Sequence, residues 1–213
     1  MTTAYSKKLA FDIGANIGMW TNANMNNYDT IITIEASPYT FEKLKKNTIN
    51  NANNILNYAV CNNNEKDIVF YHADADILST INKNWLTDMK SRFYNYSRYK
   101  EITCKTITID KLISIYGDPD LIKVDVEGGE YECILSLTKK VKHLCFEWAS
   151  ETNDITFNCL DYLLTLGFNK FAIQTKDNYT FIPNDTEYYD VLYIKDVLSK
   201  TIPKKDWGMI WCI

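Results

Sequence analysis

The sequence predicts an α/β protein with a mostly parallel sheet covered by helices on both faces. Three observations lead there. Short, nearly continuous apolar runs recur along the chain (KKLAFDIG, ITIEA, LIKVDV, HLCFEW), segments with helical spacing separate them, and two of the runs end in turns that combine glycine with carboxylates. Strands buried on both faces read as unbroken apolar runs, and parallel neighbours need a crossover, so the alternation implies helices on both sides.

Taken in order, residues 7–14 and 32–36 read as the first two strands, with a crossover helix over 19–27 between them. Ser37-Pro38 starts a second helix through Phe41, Leu44 and Ile49, since proline suits a first helical turn. A third strand over 55–60 precedes an Asn-rich turn at 62–64 and the extended DIVFY. Residues 73–100 break the rhythm with Trp85, Phe93, Tyr94, Tyr96 and Tyr99, which marks an insert or lid. The pattern resumes with ITCKTITID, a helix over 111–116, the strand LIKVDV, a helix from Gly129 to Leu137, the strand HLCFEW and a helix over 155–166 stopped by Gly167. FNKFAIQ and YYDVLYIK read as two closing strands, and the apolar end with Trp207, Ile210, Trp211 and Ile213 as a segment packed on the domain. No repeat or linker divides residues 1–213, so one domain is expected.

Composition narrows the function. The 213 residues are 46% hydrophobic with only 7 Gly and 4 Pro, which excludes collagen-like and disordered classes. A net charge of -4 lacks the cationic footprint of a nucleic-acid binder, and no N-P-P-Y motif for a flipped base is present. The six cysteines show no paired spacing, and no leader or membrane-spanning run is legible, so a cytoplasmic protein with free thiols, no membrane partner and unmodified sequons at Asn95, Asn178 and Asn184 is expected.

Two constellations carry chemistry. In DIGANIG, Asp12, Gly14 and Gly18 sit where the first strand gives way to the first helix, where a sheet offers backbone N–H groups to a ligand. The spacing D-x-G-x-x-x-G is not the dinucleotide fingerprint, because Asn16 stands where the second glycine would be. Glu35 ends the second strand, 21 residues beyond Gly14, about the offset at which a carboxylate meets ribose hydroxyls. The second constellation is KVDVEGGE, in which Asp125 and Glu127 emerge at the carboxyl end of a middle strand and Glu130 opens the next helix as a structural residue. His72 and His143 read as packed or surface residues.

These segments, with IEASP at 34–38, the L-x-x-N of Leu44 to Asn47, NYAV, Ser79-Thr80, TIDKL at 108–112 and Phe146-Glu147, resemble FkbM-type methyltransferases of the S-adenosylmethionine-dependent class I fold over residues 8–150. Ala36 and Ser37 depart from the family's usual E-P. The resemblance implies a Rossmann-like seven-stranded sheet in the order 3-2-1-4-5-7-6 with an antiparallel last strand. It implies S-adenosylmethionine over the first turn, with Asp12, Gly14, Asn16 and Gly18 around its methionine part, Glu35 at its ribose, Ala59 and Val60 at its adenine edge, and Ala15 and Ala36 also among the residues that bind it. The methyl would face Asp125.

The expected reaction is O-methylation of a small hydroxyl compound, a sugar, nucleotide-sugar or glycan, with Asp125 as base and Glu127 orienting the acceptor. Aromatic rings of the insert would suit a sugar face. Asp125, Glu127 and Glu147 also have the ligand chemistry for Mg²⁺, although a metal-free site is preferred. A nicotinamide oxidoreductase and a catalytically silent binding module are the competing readings. The apolar C-terminus leaves room for a homodimer.

Overall fold

The structure is a computed structural model that describes residues 7–48, 54–63, 66–176 and 178–213. In chain order the elements are β1 (Leu9–Ile13), α1 (Met19–Asn24), β2 (Thr30–Ile34), α2 (Pro38–Asn47), β3 (Ile55–Leu56), β4 (Ala59–Val60), β5 (Asp67–Ala73) and α3 (Asn84–Thr87). There follow β6 (Tyr99–Ile107), α4 (Ile109–Tyr116), β7 (Leu121–Val124), α5 (Glu130–Ile134), β8 (Leu144–Ala149), α6 (Asn153–Thr165), β9 (Phe171–Thr175), α7 (Val191–Ser199) and β10 (Trp207–Cys212).

Seven strands form one sheet in the order β3-β2-β1-β7-β8-β10-β9, and β4-β6-β5 form a second, smaller one. Counting only the strands of the large sheet along the chain, the order is 3-2-1-4-5-7-6. The strands from β3 to β8 run parallel, whereas β10 is antiparallel to both neighbours. The class and order implied by the resemblance are therefore present. Phe11, Ile32, Ile122, Val124 and Phe146 are fully buried in the centre, as an interior covered on both faces requires.

Several element boundaries differ from the sequence reading. The single third strand splits in two. Asn57 Nδ2 donates to the carbonyls of Glu35 (2.8 Å) and Ala36 (2.9 Å), so the chain leaves β2 after Leu56 and re-pairs at Ala59 with β6. YYDVLYIK is not a strand. Asp190 caps α7 by accepting the Tyr193 N–H at 2.9 Å, and Ile194 and Leu198, four apart, are its fully buried face. The true last strand is β10, the apolar C-terminal segment, inserted between β8 and β9.

The first crossover helix ends at Asn24, whose side-chain amide donates to Trp20 O and Tyr179 O instead of continuing the turn. Thr108 caps α4 through the Lys111 N–H, so that helix begins two residues before the expected start. Ile49 and Asn64 lie outside the described residues. All six cysteines are buried and free. Among the described residues no helix is long and apolar enough to cross a membrane.

Residues 74–98 form the tip of the antiparallel β5–β6 hairpin. Leu78, Trp85 and Leu86 pack with Ala149 and Trp207, so the tip folds over the carboxyl ends of the parallel strands.

Candidate active site

At the carboxyl end of β1 the chain turns sharply, and the Gly14 and Ala15 N–H groups both donate to Ile34 O (3.0 and 2.9 Å). Gly14 has φ +75°, and a Cβ there would stand 1.8 Å from the Asp125 carbonyl oxygen, so the position admits only glycine. The turn leads the Asn16 N–H to Glu35 Oε2 at 3.0 Å, while the Ser37 N–H donates to Glu35 Oε1 at 2.9 Å. Glu35 is thereby fixed at the end of β2 with one lone pair on each oxygen still available. Burial raises its pKa to about 7, against the lowering effect of the two N–H donors.

Beneath this turn lies a buried polar chain. Asp12 on β1 faces Lys123 on β7 across the parallel ladder. Lys123 Nζ lies 3.1 Å from Asp12 Oδ1 and 3.3 Å from Asp125 Oδ2, and donates to Gly14 O at 3.2 Å. Thr21 Oγ1 donates to Asp12 Oδ2 at 2.6 Å. Burial pulls the Lys123 pKa down, but the Asp12 and Asp125 carboxylates outweigh it and hold it above its ordinary value.

After β7 the chain takes positive φ at both Glu127 (54°) and Gly128 (82°). For a glutamate this conformation is strained by about 1–3 kcal/mol, and such residues cluster at functional sites. Glu130 holds the turn, its Oε1 accepting the Val126 and Gly128 N–H groups at 3.1 Å each. Glu130 is structural, as its place at a helix start implies. Asp125, Glu127 and Glu147 bring one carboxylate oxygen each within 4.8 Å of one another. Burial, and then the charges of Asp125 and Glu130, raise the Glu127 pKa well above the usual carboxylate range.

The hairpin tip supplies a wall. Thr80 Oγ1 donates to Glu127 O (2.7 Å) and Asn82 Nδ2 to Gly128 O (3.0 Å). Trp85 packs edge-on against Phe93, ring centroids 5.3 Å apart. Arg92 spans from the tip to Glu151, with Nε to Oε1 at 2.5 Å and Nη2 to Oε2 at 2.6 Å.

These parts enclose a cavity of about 340 Å³. Of the residues singled out by sequence, Gly14, Ala15, Asn16, Glu35, Ala36, Ala59, Val60, Asp125, Glu127 and Glu147 line it. Asp12 and Gly18 do not: Asp12 is fully buried under Lys123, and Gly18 caps α1 where a Cβ would press on Leu44. His72 lies outside the lining, its Nδ1 2.9 Å from Ser37 Oγ. Lys123, Arg92, Tyr179 and Trp207 are lining residues that the sequence reading did not assign. Only Lys123 left a signal, since a lysine inside an otherwise apolar strand is rarely buried without a partner.

The model of the methyltransferase FkbM domain matches residues 12–171. No curated protein matches the chain. Among solved structures, the precorrin-6y C5,15-methyltransferase of Geobacter metallireducens GS-15 superposes with TM-score 0.46 at 13% identity, covering 97% of this chain and 79% of that one. The plantazolicin methyltransferase BpumL, solved with a triazolic desmethylPZN analog and SAH, gives TM-score 0.35 at 10% identity, covering 100% and 78%. Neither superposition is close enough to bear on chemistry. The family match spans most of the chain, including both glycine–carboxylate turns, and the chain belongs to the FkbM methyltransferase domain family.

Proposed function

We propose that the protein transfers a methyl group from S-adenosylmethionine to a hydroxyl of a small polyhydroxylated acceptor, a sugar, nucleotide-sugar or glycan. The observation that carries this reading is Glu35, presented to the cavity by the Asn16 and Ser37 N–H groups with one lone pair free on each oxygen, a match for two ribose hydroxyls. The donor would supply an electrophilic methyl on a sulfonium. Gly14, Ala15 and Asn16 would hold its methionine part, and Ala36, Ala59 and Val60 its adenine edge. Asp12 would contribute at one remove, through Lys123.

Methyl transfer to a hydroxyl depends chiefly on alignment, with a base contributing about 10²- to 10⁴-fold. Asp125 is tied to Lys123, which suits a fixed charge facing the sulfonium. Glu127, whose pKa burial and the charges of Asp125 and Glu130 raise above the usual carboxylate range, stands beside Asp125 as a second group able to accept the hydroxyl proton or orient the acceptor. The hairpin tip of residues 74–98 would exclude water from the transfer.

The test is calorimetric titration of the protein with S-adenosylhomocysteine, with NAD alongside. The expected result is micromolar binding of the first alone, weakened at least tenfold by Glu35→Ala. Binding of NAD in preference, or no binding of S-adenosylhomocysteine, overturns the reading.

A further inference from the structure

We propose that His72 is a positioning residue for the donor: through Ser37 it aims the Glu35 carboxylate at the ribose hydroxyls, which makes the β5–β6 hairpin part of the donor site. This deepens the methyl-transfer reading and rests on it. Glu35 is buried, and burial disfavours its charge, so the carboxylate depends on the two N–H groups that hold it. One of them comes from Ser37, the fully buried residue just before α2.

The Ser37 hydroxyl joins this turn to the hairpin. Ser37 Oγ lies 2.9 Å from Nδ1 of His72 on β5, and the Oγ of Ser79, a cavity-lining residue, lies 3.4 Å from the same nitrogen. Each hydroxyl already accepts a backbone N–H, Ser37 from Thr40 at 3.3 Å and Ser79 from Ala73 at 3.1 Å. Each therefore has its own proton to give, and Nδ1 is the acceptor at hand, which assigns the imidazole proton to Nε2. Burial and the nearby Lys100 hold the His72 pKa below its ordinary value, so the ring is neutral at neutral pH and Nδ1 can accept.

Other contacts hold the ring in place. Tyr39, in the first turn of α2, stacks on it with ring centroids 4.7 Å apart and planes at 24°. Lys100, paired with His72 across the hairpin, sets its Nζ 3.6 Å from the Tyr39 ring centroid. Asp76 of the hairpin tip binds the same end of α2, accepting from Thr40 Oγ1 at 3.0 Å and from Lys43 Nζ at 2.5 Å. As a helix cap, Ser37 is complete with the Thr40 N–H and needs no histidine. The added bond to His72 fixes the one serine whose N–H also holds Glu35.

The experiment measures binding of S-adenosylhomocysteine, adenosine and 2′,3′-dideoxyadenosine to the unmodified protein, to His72→Leu and to His72→Asn. His72→Leu is expected to weaken the first two by about five- to tenfold. It should change 2′,3′-dideoxyadenosine, which lacks the hydroxyls that Glu35 would bind, by less than about twofold. His72→Asn, whose Oδ1 can accept a hydroxyl proton, should stay within about twofold of the unmodified protein for all three. Unchanged adenosine affinity in His72→Leu overturns the proposal. So do equal losses for adenosine and its dideoxy form, the mark of a purely structural role, and a loss in His72→Asn as large as in His72→Leu. If His72→Leu does not fold, Ser37→Ala, which keeps the N–H and removes the hydroxyl, decides in its place: the same selective loss is expected, and unchanged or unselective binding overturns the proposal. Failure of S-adenosylhomocysteine to bind the unmodified protein is a different result, and it removes the methyl-transfer reading itself.

Discussion

Asp12 and Lys123 sit opposite each other on adjacent parallel strands, Oδ1 to Nζ 3.1 Å, with side chains 0% and 6% exposed. Lys123 reaches on to Asp125 and to the carbonyl of Gly14, so one buried cation ties the glycine turn to the carboxylates above it.

Removing one partner of such a pair leaves a buried charge uncompensated. Lys123→Met is expected to destabilise the protein by about 3–5 kcal/mol, and adding Asp12→Asn should recover part of the loss. Urea denaturation of the single and double variants measures the coupling. Additive costs would show that the two side chains do not support each other.

The glycine turn gives a steric prediction with an internal control. Gly14→Ala combines a strained φ with a clash against the Asp125 carbonyl and should cost about 2–5 kcal/mol. Gly117, also at positive φ (+96°) but with nothing within 4 Å of an added Cβ, should cost only about 1–2 kcal/mol as Gly117→Ala. Equal losses in thermal unfolding would contradict this account of Gly14.

Stability should depend on pH through Glu130, whose pKa burial raises to about 7. Below pH about 4.5 the folded and unfolded chains both carry its proton. Between that pH and about 7 the unfolded chain releases the proton while the folded chain keeps it, so stability falls as pH rises. Glu130→Gln should therefore gain on the original protein across this interval by about 1–3 kcal/mol. Melting temperatures of both proteins from pH 4.5 to 8 provide the comparison, and parallel curves would rule out the assignment.

Arg92 and Glu151 pin the hairpin tip to the end of β8, with the Glu151 side chain fully buried. Arg92→Met should expose residues 74–98 to limited proteolysis at least tenfold faster, at a cost of about 3 kcal/mol or more. An unchanged cleavage rate would mean that Trp85 and Leu86 hold the tip without it.

Lys123 already supplies the positive charge next to Asp125, so methyl transfer, once an acceptor is in hand, should persist in EDTA. Loss of turnover restored by Mg²⁺ would give the three carboxylates to a cation.

The amino-acid sequence by itself determined the class, the strand order through family resemblance, and most of the cavity's near wall. These are local matters: apolar runs of strand length, glycines that permit positive φ, and carboxylates a residue or two beyond a strand end. YYDVLYIK reads as a strand because a short apolar alternation is compatible with either structure, and the cap at Asp190 decides for helix. Tertiary structure alone decided what depends on residues distant in the chain. The strand register placed Lys123 beside Asp12, 111 residues away, and the folded hairpin tip brought Trp85 and Arg92 over the strand ends. Antiparallel insertion of β10 carried Trp207 to the cavity wall. Charge compensation and cavity shape arise from these long-range pairings, which leave no periodicity in the sequence to read.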